Sequence, residues 1–321
     1  MKKFTKGVLI AAGCFLAMGV ILGSIGAIGR VYAGEKIANG EDLVMIRDTW
    51  RKFGNWNFRW RRGNASGITV EYDGVEFDKN YNTSYGSFTD DSLDATNICN
   101  LNLEIGGGSV VLCTGNQMEL KKDGEVECQY YIEGDTFYLK QKCPVGAGRA
   151  DIRLTIPEGM KLDEVEITMG AGEIVTNGLL AAEKVEIEVD AGEITMEEVQ
   201  AEKFSADVGA GSVAVEKLDA HDCDVDVDMG NVVLQDGLVT GDLDADVSMG
   251  EIQILLRDSY EAHDYEVNCS MGELTIAEGG RNVRKYGGLA NSMEYFGKDS
   301  AGDSKYDLNC SMGSIYVRFE G

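Results

Sequence analysis

Short runs in which apolar and polar residues alternate recur along most of this chain. Eight segments follow the template Φ-x-Φ-x-Φ-x-x-Gly-x-Φ-x-Φ, where Φ is apolar; they begin at Leu101, Val165, Val185, Phe204, Cys223, Leu243, Tyr265 and Tyr306. Within Val185–Val189 the valines and isoleucine point one way and the glutamates the other, because successive side chains of a strand alternate. Each segment is therefore predicted to be two short strands joined at a glycine.

The template glycines mark a regular period. They are Gly108, Gly172, Gly192, Gly211, Gly230, Gly250, Gly272 and Gly313, and the steps from Gly172 to Gly272 are 20, 19, 19, 20 and 22 residues. Because glycine tolerates a positive φ, we expect each of these structural glycines to turn a corner between two strands. Three alanines, Ala182, Ala201 and Ala220, also recur three residues before a strand, which suggests a tight corner facing the core.

A period near 20 residues fits one coil of a parallel β-helix, in which coils rise by the strand spacing of about 4.8 Å. Helical repeats are excluded by the alternation, and a propeller blade needs about 40 residues. The fold class predicted is all-β: a single-stranded parallel β-helix, expected to be right-handed, over residues 96–321. Five unbroken coils should run from Gly172 to Gly272.

Two irregular segments interrupt this domain. Residues 117–143 read as an antiparallel β-meander with turns at Asp123-Gly124 and Gly134-Asp135, which would cap the open edge of the stack. Residues 281–304 break the template and read as a looped insertion. Because loops that interrupt solenoids often form the binding face, a specific function is expected there.

The N-terminus predicts a membrane anchor. Residues 1–7 form a basic tail with Lys2, Lys3 and Lys6, and residues 8–29 are an uncharged apolar run long enough to cross a bilayer. The positive-inside rule then leaves the tail in the cytoplasm and the C-terminal domain outside a single-pass cell membrane protein. A signal peptide cleaved after Ala33 and a lipoprotein site at Cys14 are alternatives. Residues 30–95 are expected to be a juxtamembrane segment and linker, in which aromatic and basic residues mix between 47 and 62.

Charge narrows the choice of partners. Four of the 29 bases and none of the 55 acids lie in residues 1–34, so the rest of the chain carries a net charge of −30. Such a surface repels nucleic acid and favours cations or basic partners. Acids repeat at outward template positions, in the pairs Glu186/Glu188, Asp224/Asp226 and Asp244/Asp246. Stacked carboxylates would repel one another, and calcium is an alternative way to relieve that repulsion.

Little in the sequence indicates catalysis. Its two histidines, His221 and His263, are interpreted as surface turn residues, and no nucleophile motif accompanies them. Cys269 and Cys310 share one inward template position, so they could bridge if their coils are neighbours, or simply be buried as small apolar residues. We therefore expect a protein that is not an enzyme, with no catalytic residues and no cofactor, and with metal ligands left open.

The N-terminal anchor, the template coils and the turn at Pro157-Glu158-Gly159 together resemble the bacterial putative-adhesin, β-strand-repeat family of unknown function. The resemblance covers roughly residues 96–321, and it implies a cell-surface binding role without established site residues. The function expected is a non-enzymatic adhesin or binding scaffold that contacts an envelope or surface component, protein or glycan. Alternatives are an accessory of envelope-stress signalling and a polysaccharide-active β-helix enzyme.

Overall fold

The computed structural model describes residues 75–142, 151–287, 292–297 and 304–320. The predicted tail, anchor and aromatic–basic segment (1–7, 8–29 and 47–62) lie outside these ranges. In the part of the chain that the structure describes, no helix has the length and apolar character needed to cross a bilayer.

The described residues are almost entirely strand and turn, with one short 3₁₀ helix at Tyr260–Ala262. Their 21 strands, in chain order, are β1 Thr83–Ser84, β2 Phe88–Asp90, β3 Asn100–Ile105, β4 Ser109–Gly115, β5 Glu119–Asp123, β6 Cys128–Glu133, β7 Thr136–Gln141, β8 Asp151–Pro157, β9 Leu162–Met169, β10 Glu173–Val189, β11 Glu193–Val208, β12 Ser212–Val227, β13 Asn231–Val239, β14 Leu243–Val247, β15 Glu251–Leu256, β16 Asp264–Cys269, β17 Glu273–Glu278, β18 Arg281–Gly287, β19 Ser292–Phe296, β20 Lys305–Cys310 and β21 Ser314–Phe319.

These strands stack as coils with parallel, in-register pairing. We call the side formed by strands that precede a template glycine the first side, and the side formed by strands that follow it the second side. On the first side the parallel order is β7, β3, β9, β10, β11, β12, β14, β20 and β16. The long strands β10 to β12 continue around a third side, where Ala182, Ala201 and Ala220 lie directly above one another, as predicted.

The order of coils in space differs from their order in sequence at the C-terminal end. Strands β20 and β21 pair with β14 and β15 on one flank and with β16 and β17 on the other. The last coil of the chain therefore lies between the two coils that precede it. The prediction of five consecutive coils up to Gly272 is wrong in this respect, because a periodicity along the chain does not say which coils are neighbours.

At the N-terminal end, too, the order of the coils in space differs from their order in the sequence. Strands β7 and β8 pair in parallel with β3 and β4 and form an outer coil, while β9 continues the stack on the inner flank of β3. The predicted meander is therefore only partly present. Its hairpin β6–β7 exists, but β5 pairs with β8 and β2 on the second side, not with β6.

Antiparallel strands cover both ends of the stack. At the N-terminal end β6 and β1 extend the first side, and β5 and β2 extend the second. At the C-terminal end, β19 pairs with β16 and β18 with β17. The predicted looped insertion 281–304 thus contains these two capping strands. They occupy the edges of the last parallel coil, which would otherwise be free to pair with another chain.

The template glycines lie above one another in a column. For most of them, however, glycine is required for a different reason from the one predicted. Only Gly108 and Gly172 have a positive φ. A Cβ at Gly250 would lie 2.4 Å from the carbonyl oxygen of Gly230, and one at Gly313 would lie 2.4 Å from that of Gly250. Glycine is therefore needed because successive corners approach too closely for a side chain.

Inward side chains form a continuous apolar core along the stack. Every first-side strand contributes alternating buried positions, and these align because the pairing is in register. Cys269 and Cys310 are paired neighbours in this core, and both are buried. They are free thiols, and burial raises the pKa of the Cys310 thiol to about 12. The coils that carry these cysteines are thus neighbours, which was the condition under which the two residues could bridge.

Candidate functional site

Carboxylates concentrate on the outward surface of the first side, which we call the acidic face. They form two columns that run across the coils. One contains Glu166, Glu186, Asp224, Asp244, Asp307 and Glu266, and the other contains Glu104, Glu188, Asp207, Asp226 and Asp246. The alternation of the strands produces these columns, since every second side chain must face outward.

The sequence predicted part of this face. Asp224 lies directly beside Asp244, and Asp226 beside Asp246, as expected from their shared template positions. Asp307 was missed, because it continues the column only after the last coil has inserted beside β14.

Carboxylates at the centre of the acidic face lie close enough to repel one another. Burial first, and then the charges of Asp207 and Asp246, raise the pKa of Asp226 above its usual range. Burial, Asp307 and Asp224 do the same for the pKa of Asp244. The pKa values of Glu188 and Asp246 are also raised, in each case mainly by burial.

Lysines lie only at the margins of these columns. Lys184 bonds to Glu164 at 2.9 Å and also to Glu186, and Lys305 bonds to Glu266 at 2.6 Å. Among the described residues, no lysine or arginine pairs with Asp224 or Asp226. The centre of the face therefore carries net negative charge and many hydrogen-bond acceptors, which suits a cationic ligand.

The second side differs in chemistry. Each strand of the second side has one outward residue between two buried ones. On consecutive coils this residue is Val111, Val175, Thr195, Ala214 and Val233. This column of the second side is therefore uncharged, although Glu173, Glu193 and Glu251 lie at the start of its strands. Within the described ranges, no group of three or more histidine, cysteine or acidic side chains is arranged to hold a metal ion. The acidic face is accordingly an extended surface and not a preformed cage.

His263 does not lie on the surface, as its turn position had suggested. Its side chain is only 4% exposed, and the ring stacks on Tyr306 with 4.0 Å between centroids. Its Nδ1 lies 2.7 Å from Ser304 Oγ, and its Nε2 lies 2.6 Å from Asp258 Oδ2. The interpretation as a surface residue is wrong for His263, although it is confirmed for the exposed His221.

The arrangement around His263 contains a serine, a histidine and an aspartate, but its hydrogen bonds indicate a structural role. Ser304 Oγ donates to the carbonyl oxygen of Gly241 at 2.6 Å and lies 2.7 Å from His263 Nδ1. Asp258 Oδ2 lies 2.6 Å from Nε2, so both ring nitrogens of the buried His263 have a hydrogen-bond partner. Because Gly241, Ser304 and His263 precede β14, β20 and β16, this network ties together three neighbouring coils.

The C-terminal cap closes the end of the core with partly polar side chains. Phe296 stacks on Tyr265 with 5.0 Å between ring centroids, and the Arg284 guanidinium lies 5.0 Å from the Phe296 ring centre. Tyr286 donates to Glu294 at 2.8 Å. Residues 281–304, in which a specific function was expected, therefore include side chains that cover the end of the core.

Comparison with known proteins adds a family match and three distant structures. The profile of the Toastrack DUF4097 family matches residues 109–318. A putative adhesin from Bacteroides fragilis is 12% identical, with a TM-score of 0.41, and the alignment covers 73% of this chain and 97% of that one. A putative cell adhesion protein from Clostridium sporogenes is 13% identical over 74% of this chain and 100% of that one, with a TM-score of 0.30.

A putative adhesin from Parabacteroides distasonis is 10% identical, with a TM-score of 0.31, over 75% of this chain and 98% of that one. No curated protein matches the chain. The family profile spans about two-thirds of the 321 residues, and it covers most of the described coils.

Proposed function

The chain belongs to the Toastrack DUF4097 family, and from that premise we propose that it is a non-enzymatic cell-surface scaffold whose acidic face binds a basic segment of an envelope protein. The observation that carries this proposal is the pair of carboxylate columns with no basic partner at their centre. A rigid stack holds these groups at fixed spacing, so a ligand binds without the cost of ordering the surface.

The raised pKa values of Asp226 and Asp244 support this proposal. Burial raises them first and neighbouring carboxylates second, and a cationic ligand would relieve the repulsion between these carboxylates on binding. Calcium would relieve it as well, although the described carboxylates form no ready-made site. Ser304 supports a role without catalysis, since its hydroxyl proton is already donated to a backbone carbonyl.

We further propose that residues 8–29 anchor the chain in the membrane and that the coils lie outside the cell. This placement rests on the 22-residue apolar run and on the lysines that precede it. An extracytoplasmic domain held close to the membrane would meet other envelope proteins at high local concentration.

The proposal is tested by measuring how the full chain binds poly-L-lysine by isothermal titration calorimetry at low salt. One variant neutralises the centre of the face: Asp224→Asn, Asp226→Asn, Asp244→Asn and Asp246→Asn. A control variant makes the same change of four charges at exposed corners: Glu183→Gln, Glu197→Gln, Glu202→Gln and Glu216→Gln.

We expect the face variant to lose at least tenfold in affinity and the corner variant to lose much less. Equal losses would mean that only net charge matters, and unchanged binding by the face variant would refute the proposal. Binding of chitosan oligomers in place of poly-L-lysine would reassign the ligand to an amine-bearing glycan.

A further inference from the structure

A column of methionines lies at the corner between the first and second sides. The position before each template glycine is small in four consecutive coils, where it holds Gly107, Ala171, Ala191 and Ala210. In the next four coils of the stack it is always methionine, in the spatial order Met229, Met249, Met312 and Met271.

Backbone hydrogen bonds fix the register of this column. The amide of Met249 donates to Asp228 O at 2.7 Å, that of Met312 to Ser248 O at 2.8 Å, and that of Met271 to Ser311 O at 2.7 Å. Met312 lies between Met249 and Met271 only because the last coil is inserted there. The column therefore does not exist in the linear sequence.

Three of these side chains are largely exposed. Met249 and Met312 are each 53% exposed, and Met271 is 57% exposed, whereas Met196 in the core is fully buried. Packing does not require methionine at this corner, since glycine or alanine fills the same position in the other four coils. The repeated thioether thus points to a chemical role rather than to a contribution to the core.

We propose that Met249, Met312 and Met271 form a binding site for a soft monovalent cation, Cu(I). Thioether sulfur is a soft ligand that selects Cu(I) over hard cations such as calcium. The strong negative charge of the chain, −26 overall, raises the local concentration of cations at its surface.

The geometry of the corner suits three-coordinate binding. Neighbouring coils place equivalent backbone atoms about 4.8 Å apart. Three sulfurs around one ion, each at a metal–sulfur distance of about 2.3 Å, would lie about 4 Å from one another. The backbone positions of Met249 and Met271 are two coil spacings apart, about 9.6 Å, so their sulfurs must each lean roughly 3 Å toward Met312. Methionine has three rotatable side-chain bonds, which allow this without moving the backbone.

The test uses silver(I) nitrate as a redox-inert probe for the full chain labelled with ¹³C at the methionine methyl groups. In chloride-free buffer, once the accessible free thiols are saturated, the methyl resonances of Met249, Met312 and Met271 should shift together and saturate with about one further equivalent of silver. Buried Met196 should not shift and serves as an internal reference.

Substitution separates coordination from apolar contact. Met312→Leu keeps the apolar volume but removes the central sulfur, so silver affinity at the corner should fall at least tenfold with an unchanged melting temperature. Met293→Leu is the matched control, because Met293 is 73% exposed on β19 and pairs with Asn268 outside the corner column, so its loss should leave binding intact. Silver bound only by thiols, with static methyl resonances at the corner, would overturn the proposal.

Discussion

Gly250→Ala tests why glycine occupies the corners of the coils. A Cβ at this position would lie 2.4 Å from Gly230 O and 2.4 Å from Val227 Cγ1, where real Cβ atoms stay beyond 3.0 Å. The corner must therefore open by about 0.6 Å against backbone that is itself part of the stack. The hydrogen bond from the Glu251 amide to Gly230 O, now 3.1 Å, would lengthen as a result.

The expected cost combines two effects. Overpacking costs about 1–3 kcal/mol, and weakening one backbone hydrogen bond adds roughly 1 kcal/mol. We therefore expect a loss of about 3 kcal/mol in the free energy of unfolding. In a domain of this size that corresponds to a fall of roughly 6–12 °C in melting temperature, measured by circular dichroism.

Gly134→Ala is the control, because it separates crowding from backbone conformation. Gly134 has a φ of +65°, but a Cβ there would meet nothing within 4 Å. A left-handed conformation costs a non-glycine residue about 1–2 kcal/mol, so this variant should lose less than Gly250→Ala. If Gly250→Ala melts within 1 °C of the unmodified chain, the explanation by close approach is refuted.

The acidic face and the C-terminal end of the stack give four further predictions. Asp226→Asn should raise the free energy of unfolding by roughly 0.5 kcal/mol at low salt, since like charges directly opposite one another destabilise a sheet; a lower melting temperature would contradict this. The raised pKa values of this face mean that the native chain binds more protons than the unfolded chain above about pH 4. The free energy of unfolding should therefore fall as the pH rises from that value through the native pKa values of these carboxyl groups. A rise in melting temperature across the same pH range would count against the raised pKa values. Asp258→Ala leaves the buried His263 Nε2 without its hydrogen-bond partner, so it should cost about 1–3 kcal/mol and speed amide exchange in β20, and unchanged exchange would argue against the network. Phe296→Ser removes the ring that stacks on Tyr265, so it should loosen the cap and cause concentration-dependent association in light scattering.

The sequence predicted the strands and their repeat well, because both depend on local alternation. The glycine spacing identified the corners of eight coils from Gly108 to Gly313 but missed the outer coil formed by β7 and β8, while the alternation assigned the inward and outward positions of the template strands correctly. Pairing between coils is a long-range property, and periodicity does not contain it. The insertion of β20 and β21 between earlier coils therefore could not be predicted from the spacing of Gly250, Gly272 and Gly313.

The same limit applies to the candidate sites. The prediction of stacked carboxylates at Asp224 and Asp244 is confirmed because their coils are consecutive both in sequence and in space. His263 was misplaced because its burial depends on Tyr306, which comes from a coil about 40 residues later in the chain. Residues 281–304 were expected to form a functional loop, because loops that interrupt solenoids often bind ligands. The segment instead contains strands that pair with the last parallel coil.

We propose that the acidic face, and not the general charge of the chain, binds a basic partner. Carbodiimide labelling of carboxylates, with and without saturating poly-L-lysine and read by mass spectrometry, separates these two possibilities. We expect strong protection of Asp224, Asp226, Asp244 and Asp246, while the exposed corner residues Glu197 and Glu216 remain reactive. Uniform protection of all these carboxylates, or protection of the corners alone, would contradict it.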